Sequence, residues 1–438
     1  MHRNSYLKMI QEIRIKNFRS FKDEVVFNFE ATKDTFAEES QVVTISDNVR
    51  LLRFAIVYGY NASGKSNLLR AIDFLFDFWF AKTRDTDEKI KQIEPFKLDA
   101  CSHYEHTRFE ITFYIDSTKY NYLLELDKQQ VYIEKLSYYK SVQPTMLFER
   151  QLHDGQTDIN YGVAVQIKKI VKDNILIKCL TNMSFFAART QINAELPIID
   201  AVKDYFKSKI FRPIIPSTDL TKYAKQLLSE SKEAVSYLLK FLREADFNIT
   251  NIKTETIKNN PSKVFFDAIS SINTLSSDDK KKILKIVYEV KRKASFSHLV
   301  ESNNGKETYS LSLEKGEESL GTERVMGVEA ALYRGLKRQS LLAIDEIESS
   351  LHPKLLEKVL YEFLKIENSQ SQLIVTTHND GLLDLTDDLI RKDSVWFTEK
   401  QKNGATDLYR LTDFKGLNRL SSIREAYRLK RFGATMNK

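Results

Sequence analysis

The alternation of hydrophobic and polar residues near the start of the chain predicts β-structure. Over residues 12–18 the two kinds alternate, which is typical of a half-buried strand. Residues 52–58 form an apolar run that ends at Gly59, which predicts a buried strand entering a loop. After Ser66, apolar residues recur at helical spacing. The predicted order is therefore strand, glycine-rich loop and helix.

The next part of the chain predicts an antiparallel lobe followed by a helical segment. Alternating stretches within residues 108–126 predict a hairpin, and further strands are expected at 131–138 and 146–150. From residue 197 to 290 the apolar spacing becomes mostly helical. We interpret residues 196–300 as a helical insertion that contacts a partner or DNA, or mediates dimerisation.

Helices and strands alternate in the C-terminal part of the chain. The expected elements are a helix, a buried strand, a second helix and two more strands, at 322–336, 340–344, 353–366, 372–376 and 394–397. Strands that alternate with helices predict a parallel sheet with right-handed crossovers. The expected fold class is α/β, with an N-terminal lobe at 1–195 and a C-terminal lobe at 301–438.

The composition agrees with a globular protein and argues against a membrane protein and a secreted protein. Hydrophobic residues make up 42% and charged residues 29% of the 438 positions. No apolar run reaches the roughly 20 residues of a membrane helix, and the polar N-terminus does not resemble a signal peptide. Cys101 and Cys179 lie far apart without metal-ligand spacing, which is typical of a reducing compartment. We expect a cytoplasmic protein without membrane contact.

The charge distribution leaves two interpretations open. The net charge of +7 arises within residues 200–293, where lysine and arginine outnumber aspartate and glutamate. A basic segment can bind nucleic acid or an acidic protein surface. A solvated helical surface rich in lysine explains the same excess equally well.

The loop at residues 59–66 matches the phosphate-binding pattern G-x-x-x-x-G-K-[ST] in full. Glycines let the backbone N–H groups face phosphate oxygens, and the following helix adds its positive N-terminal end. The lysine reaches the β- and γ-phosphates, and the last hydroxyl binds Mg²⁺. The predicted nucleotide-binding residues are Gly59, Asn61, Ala62, Ser63, Gly64, Lys65, Ser66 and Asn67.

Two further positions supply the groups that phosphoryl transfer needs. The apolar strand at 341–344 delivers Asp345 and Glu346 to its C-terminal end, where sites of α/β proteins assemble. Asp345 is suited to the Mg²⁺ shell and Glu346 to polarising the attacking water. His378 follows another buried strand and is placed to bind the γ-phosphate or its water. We therefore expect Glu346 and His378 to be catalytic.

In combination, these motifs resemble the ABC-type ATPase heads shared by SMC proteins, RecF and the OLD (overcoming-lysogenization-defect) nucleases. The likeness is strongest to stand-alone OLD-like ATPases of bacterial abortive-infection systems, of the AbiL and RloA types. The matching segments are an opening strand, Walker A, a shortened signature, Walker B with the D-loop, the switch histidine and the tail, at residues 13–21, 59–67, 318–322, 345–353, 376–379 and 427–433.

The resemblance implies an ABC/SMC-type head that dimerises around two molecules of ATP with Mg²⁺. In such dimers the signature of one subunit completes the site of the other, which here assigns Ser319, Gly321 and Thr322 to the partner's γ-phosphate. The resemblance also implies that Gln191 is the Q-loop glutamine, which would join Ser66 and Asp345 at the metal.

One departure from the OLD pattern concerns the nuclease. Full OLD proteins carry a Toprim nuclease after the ATPase, whereas this sequence continues for only about 60 residues beyond His378. We therefore expect a separately encoded effector, either a Toprim or RloB-like nuclease or a toxin. The main hypothesis is the ATPase subunit of an anti-phage system. The alternative hypotheses are a RecF/SMC-like DNA-repair or DNA-clamping ATPase and a scaffold that barely hydrolyses ATP, which Glu346 argues against.

Overall fold

The computed structural model describes residues 7–245, 247–257, 272, 291–302, 305–312 and 319–434. The chain divides into two compact units. Unit 1 comprises Met1–Pro216, Gly335–Ser349 and Val359–Lys438, and unit 2 comprises Ser217–Arg334 and Ser350–Lys358. The lobe boundaries expected at residues 195 and 300 thus differ from this division.

The elements are numbered in chain order over the described residues. The strands are β1 (Lys8–Lys16), β2 (Val25–Asn28), β3 (Val42–Ser46), β4 (Val49–Leu52), β5 (Phe54–Gly59), β6 (Thr107–Ile115), β7 (Thr118–Leu126), β8 (Val131–Tyr139), β9 (Pro144–His153), β10 (Gln156–Tyr161), β11 (Ile249–Ile257), β12 (Lys291–Ser302), β13 (Gly305–Ser312), β14 (Leu341–Ile344), β15 (Gln372–Thr377), β16 (Val395–Lys400) and β17 (Thr406–Arg410).

The helices belong to both units. They are α1 (Glu38–Gln41), α2 (Lys65–Phe78), α3 (Lys169–Lys178), α4 (Phe185–Arg189), α5 (Pro197–Lys209), α6 (Leu220–Glu230), α7 (Lys232–Glu244), α8 (Leu320–Arg338), α9 (Pro353–Leu364) and α10 (Ile423–Arg428). Short 3₁₀ turns cover Ser102–Tyr104, Asp380–Leu385, Lys392–Ser394, Leu411–Asp413 and Leu417–Arg419.

A seven-stranded antiparallel sheet forms one layer of unit 1. Its strand order is β10-β9-β8-β7-β6-β1-β2, and the predicted hairpin is the β6–β7 pair, in which Phe109 faces Leu124. Alternate side chains are buried along β7 and along the first half of β6, because one face packs on the core, whereas the last five residues of β6 are all buried. The structure confirms the predicted antiparallel lobe.

A five-stranded sheet, in the order β14-β15-β5-β16-β17, forms another layer of unit 1. The first four strands are parallel, and only β17 pairs antiparallel. Every residue of β5, β14 and β15 is buried, as expected for parallel strands covered on both faces. The predicted mixed α/β fold is confirmed. The carboxyl ends of β14, β15 and β5 meet at one edge.

Helix α2 lies in the main core of unit 1, which draws residues from both sheets. Phe74 of α2 stacks on Phe109 of β6 with 5.2 Å between ring centroids. In the same core, Phe27 of β2 lies 5.0 Å from Trp396 of β16. The Phe74–Phe109 contact anchors the helix that follows the phosphate loop, and the Phe27–Trp396 contact joins the two sheets.

Unit 2 combines helices with a three-stranded antiparallel sheet in the order β11-β12-β13. Helices α6 and α7 bury one apolar face each, which contains Leu228 and Leu238. The predicted helical insertion at 196–300 is therefore only partly helical, since β11 and most of β12 fall inside it. The run of isoleucine and threonine in β11 explains this difference because β-branched residues favour strands. Residues 258–271 and 273–290 lie outside the described part.

Candidate nucleotide-binding site

The phosphate loop leaves buried strand β5 and enters α2 at Lys65. Gly64 has φ = 112°, a conformation that side chains other than glycine rarely adopt, and a Cβ there would collide with Thr406. Ala62 also has a positive φ, of 62°. In the first turn of α2, the N–H of Asn67 donates to the Gly64 carbonyl at 2.9 Å. The N–H groups of Lys65 and Ser66, at the positive end of the helix, are suited to bind phosphate oxygens.

Strands β16 and β17 support this loop through side-chain hydroxyls. Ser63 Oγ lies 2.6 Å from Thr398 Oγ1, and Thr406 Oγ1 donates to the Ser63 carbonyl at 2.7 Å. Asn67 Nδ2 donates to Ser20 Oγ at 2.7 Å. The side chains of Ser63 and Asn67 thus hold the loop in place. Sequence reasoning missed all three supporting partners because the contacts join distant parts of the chain.

Lys65 is nearly buried and lies over its own loop. Its Nζ donates to the carbonyls of Gly59, at 2.7 Å, and Tyr60, at 3.2 Å. Burial lowers the pKa of Lys65, while the carboxylates of Glu348, Asp345 and Glu346 act in the opposite direction. The ammonium group therefore lies in the field of all three acids, at the end of the loop where the terminal phosphates are expected.

Asp345 binds two hydroxyl groups at the sheet edge. Its Oδ1 accepts hydrogen bonds from Ser66 Oγ at 3.1 Å and from Thr376 Oγ1 at 2.5 Å. The structure thus brings Ser66 and Asp345 together, although 279 positions separate them in sequence. A hydroxyl beside a carboxylate fits Mg²⁺, which prefers oxygen ligands and completes its shell with phosphate oxygens and water.

Glu346 begins a tight turn after β14. Its φ of 48° is in the left-handed region, which is uncommon for residues other than glycine and is frequently found at functional sites. Its N–H donates to Thr376 Oγ1 at 2.9 Å. Thr376 therefore fixes both acidic positions, since the same hydroxyl binds Asp345.

His378 follows β15, as predicted, and contacts a carboxylate that sequence reasoning left without a role. Its Nδ1 lies 3.0 Å from Glu348 Oε1, and its backbone N–H donates to the same oxygen at 2.8 Å. The His378 side chain is 52% exposed and that of Glu348 is 12% exposed. The only sequence signal for Glu348 was its position as the third acid after a buried strand.

Gln191 lies beside α4. Its Nε2 is 3.8 Å from Met183 Sδ and 3.5 Å from the Ala187 carbonyl oxygen. No hydrogen bond between described residues joins Gln191 to Ser66 or Asp345. Its assignment to the metal stays a prediction without a supporting contact.

The signature residues belong to unit 2. Ser319 Oγ accepts from the Thr322 N–H at 3.1 Å and lies 2.8 Å from Thr322 Oγ1, so it caps α8. Glu318, which the resemblance places in the same motif, lies outside the described residues. A cavity of about 540 Å³ adjoins this helix start, and its lining includes Ser319, Gly321, Thr322, His352, Lys354 and Lys358.

A protein-family model covers the phosphate loop, the acidic turn and the signature residues. The family described as "AAA domain, putative AbiEii toxin, Type IV TA system" matches residues 54–178 and 184–384. The chain belongs to this family. The match includes the phosphate loop, Asp345, Glu346 and His378, so this member of the AAA family is a P-loop ATPase.

Two solved structures resemble this AAA family member at low sequence identity. The SMC head domain from Thermotoga maritima is 13% identical with a TM-score of 0.41, covering 92% of this chain and 98% of that one. An SMC head bound to the C-terminal winged-helix domain of ScpA is 13% identical with a TM-score of 0.43, covering 96% and 99%. No curated protein sequence matches the chain. Within the described ranges, no helix is long and apolar enough to cross a bilayer.

Proposed function

We propose that this chain is the Mg²⁺-dependent, ATP-hydrolysing subunit of a bacterial abortive-infection system. The observation that carries the ATPase part is the convergence of Lys65, Ser66, Asp345, Glu346 and His378 at one sheet edge. The family description names a toxin of a type IV toxin–antitoxin system, which supports the defence part. In this proposal, nucleotide turnover controls a separately encoded nuclease or toxin.

The residues at the edge divide the chemistry among them. Lys65 and the first turn of α2 bind the phosphates, and Ser66 and Asp345 would hold a Mg²⁺ ion, which would supply positive charge against the negative charge that develops on the phosphate. Glu346, at the end of β14, accepts a proton from the attacking water. His378 binds the γ-phosphate from the end of β15.

The signature residues act on a second copy of the chain. Ser319 Oγ and the N–H groups at the start of α8 form a donor set of the kind that binds phosphate. Lys354 adds positive charge to the cavity beside them, whereas Lys358 forms an ion pair with Glu244 at 3.3 Å in the same lining. We propose that this surface completes the partner's ATP site in a homodimer or higher homo-oligomer.

The test of the ATPase part is the Glu346→Gln variant. Glutamine keeps the shape but cannot accept the proton, so we expect ATP binding near the wild-type level and kcat reduced by about 10³-fold. Dimers should accumulate with ATP and Mg²⁺ in light scattering. Turnover at the wild-type rate would remove Glu346 from the role of base.

The defence part has its own test in the native operon. We expect the product of a neighbouring gene to co-purify with this protein. We also expect that deletion of the gene for this protein changes the sensitivity of the host to phage. If neither happens, the ATPase belongs to another process.

A RecF/SMC-like DNA-clamping ATPase is the second candidate, supported by the excess of lysine and arginine in residues 200–293. Phosphate contacts release counterions, so DNA binding by this segment should fall steeply with salt. DNA binding that is absent or insensitive to salt would exclude this candidate.

A further inference from the structure

The turn after β14 returns the chain towards the end of β15. Glu346 adopts a left-handed conformation, and the N–H of Ile347 donates to the Thr376 carbonyl at 3.1 Å. The N–H of Ser349 then donates to the Glu346 carbonyl at 2.9 Å. This geometry brings Glu348, two residues beyond the predicted base, beside the residue that follows β15.

One oxygen of Glu348 binds His378 at two atoms. Glu348 Oε1 accepts from the backbone N–H of His378 at 2.8 Å and lies 3.0 Å from ring atom Nδ1. Two contacts to one carboxylate oxygen fix both the backbone and the ring of the histidine. Within the described chain, Nε2 of the same ring has no hydrogen bond, and half of the side chain is exposed.

The second oxygen of Glu348 is buried and has no hydrogen-bond partner among the described residues. A buried carboxylate oxygen without a partner is costly and is more common at functional sites. The surroundings agree with such a site, because Glu348 lies in the turn that follows Asp345, and Asp345 Oδ1 accepts a hydrogen bond from Ser66 of the phosphate loop at 3.1 Å. Glu348 therefore belongs to the phosphate end of the site.

We propose that Glu348 is a positioning residue for hydrolysis, which holds the His378 ring through Nδ1 so that Nε2 faces the γ-phosphate. This inference rests on the proposed ATPase function. A ring held in this way donates from Nδ1 to Glu348 and, when both nitrogens are protonated, donates from Nε2 to a phosphate oxygen. The imidazole is then preorganised for the transition state.

The geometry separates this role from that of a general base. Glu348 Oε1 already contacts the backbone N–H and the ring Nδ1 of His378, so this carboxylate oxygen is held by the histidine. Glu346 has its backbone fixed by Thr376 and follows directly on the metal-binding Asp345. The two acids thus have different partners, and glutamine substitutions distinguish them.

Steady-state ATPase kinetics of Glu348→Ala, Glu348→Gln, His378→Ala and the alanine double variant test the proposal. We expect both single alanine variants to lower kcat by about 10- to 100-fold, with KM for ATP within about 3-fold of wild type. The double variant should be no slower than His378→Ala, because the two residues act as one unit. Glu348→Gln should stay within about 5-fold of wild type, since the amide oxygen accepts the same hydrogen bonds. Exposed Glu367→Ala is the matched control.

A second readout follows the ring itself. In protein labelled with ¹⁵N-histidine, the signal of His378 is the one that disappears in His378→Ala. In the wild type this signal should report a proton on Nδ1. In Glu348→Ala the His378 ring should shift towards the tautomer protonated on Nε2. The signals of other histidines should not change. This measurement does not require hydrolysis.

Several results would overturn the proposal. They are wild-type kcat in Glu348→Ala, additive losses in the double variant, or an unchanged His378 tautomer. A Glu348→Gln variant as inactive as Glu346→Gln would make Glu348 a base instead. If the wild type shows no ATPase that depends on Lys65, the proposed function fails, and the NMR result still decides whether Glu348 orients His378.

Discussion

The phosphate-loop edge of unit 1 and the signature region of unit 2 carry equally recognisable motifs, yet their hydrogen bonds differ. At the edge, the hydroxyls and carboxylates of separate strands bind one another, as Ser66, Asp345 and Thr376 do. In the signature region, the described contacts of Ser319 stay within the first turn of α8.

This difference in hydrogen bonding suggests that the two regions contribute different groups to ATP binding and hydrolysis. The edge of unit 1 brings together Lys65, the Ser66–Asp345 pair, Glu346 and His378, the groups that we propose contact ATP and Mg²⁺ within one chain. The signature has a capped helix start beside a cavity whose described lining includes two lysines and the carboxylate of Glu244, but none of the hydroxyl–carboxylate contacts of the edge. This division fits two half-sites that are joined only when two copies meet.

The largest effect is expected at Lys65. Lys65→Ala removes the ammonium from the phosphate end of the loop and should lower ATPase activity by about 10³-fold and weaken ATP binding. Radiometric ATPase assays and nucleotide-binding titrations measure both. Lys128→Ala, on an exposed loop, is a control that should keep full activity.

Ser319→Ala tests the other half-site directly. It should lower kcat by about 10²-fold while one chain still binds ATP, because the lost donor serves the partner's phosphate. Mixing it with Lys65→Ala should restore part of the activity, since one site of each mixed dimer then has two intact halves. Mixtures as inactive as either variant alone would contradict the division into half-sites.

Substitutions of Gly64 in the phosphate loop and Gly321 in the signature compare the backbone constraints of the two regions. Gly64→Ala should lower stability by about 1–3 kcal/mol, because φ = 112° and the Thr406 side chain both oppose a Cβ. Gly321 has no positive φ, and a Cβ there would lie 3.3 Å from the Ser350 carbonyl oxygen. This contact is tight but needs only a small shift, so Gly321→Ala should lower Tm clearly less than Gly64→Ala in calorimetry and reduce ATP-dependent dimerisation. A loss of Tm in Gly321→Ala as large as that in Gly64→Ala would refute this contrast.

The smallest effect is expected where α10 binds the turn after His378. Arg424 and Arg428 both bind Asp380, at 3.2 and 2.5 Å. The Arg428 hydrogen bond lowers the pKa of Asp380, so the stability from this contact is present above the unfolded pKa and is lost as pH falls through the lower folded value. Asp380→Asn should cost about 0.2–1 kcal/mol and raise hydrogen exchange in α10. Asp388→Asn should leave that exchange unchanged.

Local signals in the sequence were enough for most elements of unit 1. Period-two alternation predicted the β6–β7 hairpin, and the continuous apolar runs predicted β5, β14 and β15 because strands covered on both faces expose no polar side. The same method failed for β11, where the helical pattern before it was extended across a β-branched run. The glycines, lysine and acids were also found from the sequence because their spacing reflects local backbone geometry.

The sequence by itself determined which chemical groups this protein has: a phosphate loop, two acids after a buried strand, and a histidine after another. Only the tertiary structure decided that β15 lies between β14 and β5, which places Asp345 against Ser66 and Glu348 against His378. It also decided that Thr398 and Thr406 hold the phosphate loop. These contacts join residues far apart in the chain, and the order of strands in a sheet depends on packing across the whole core rather than on any local pattern.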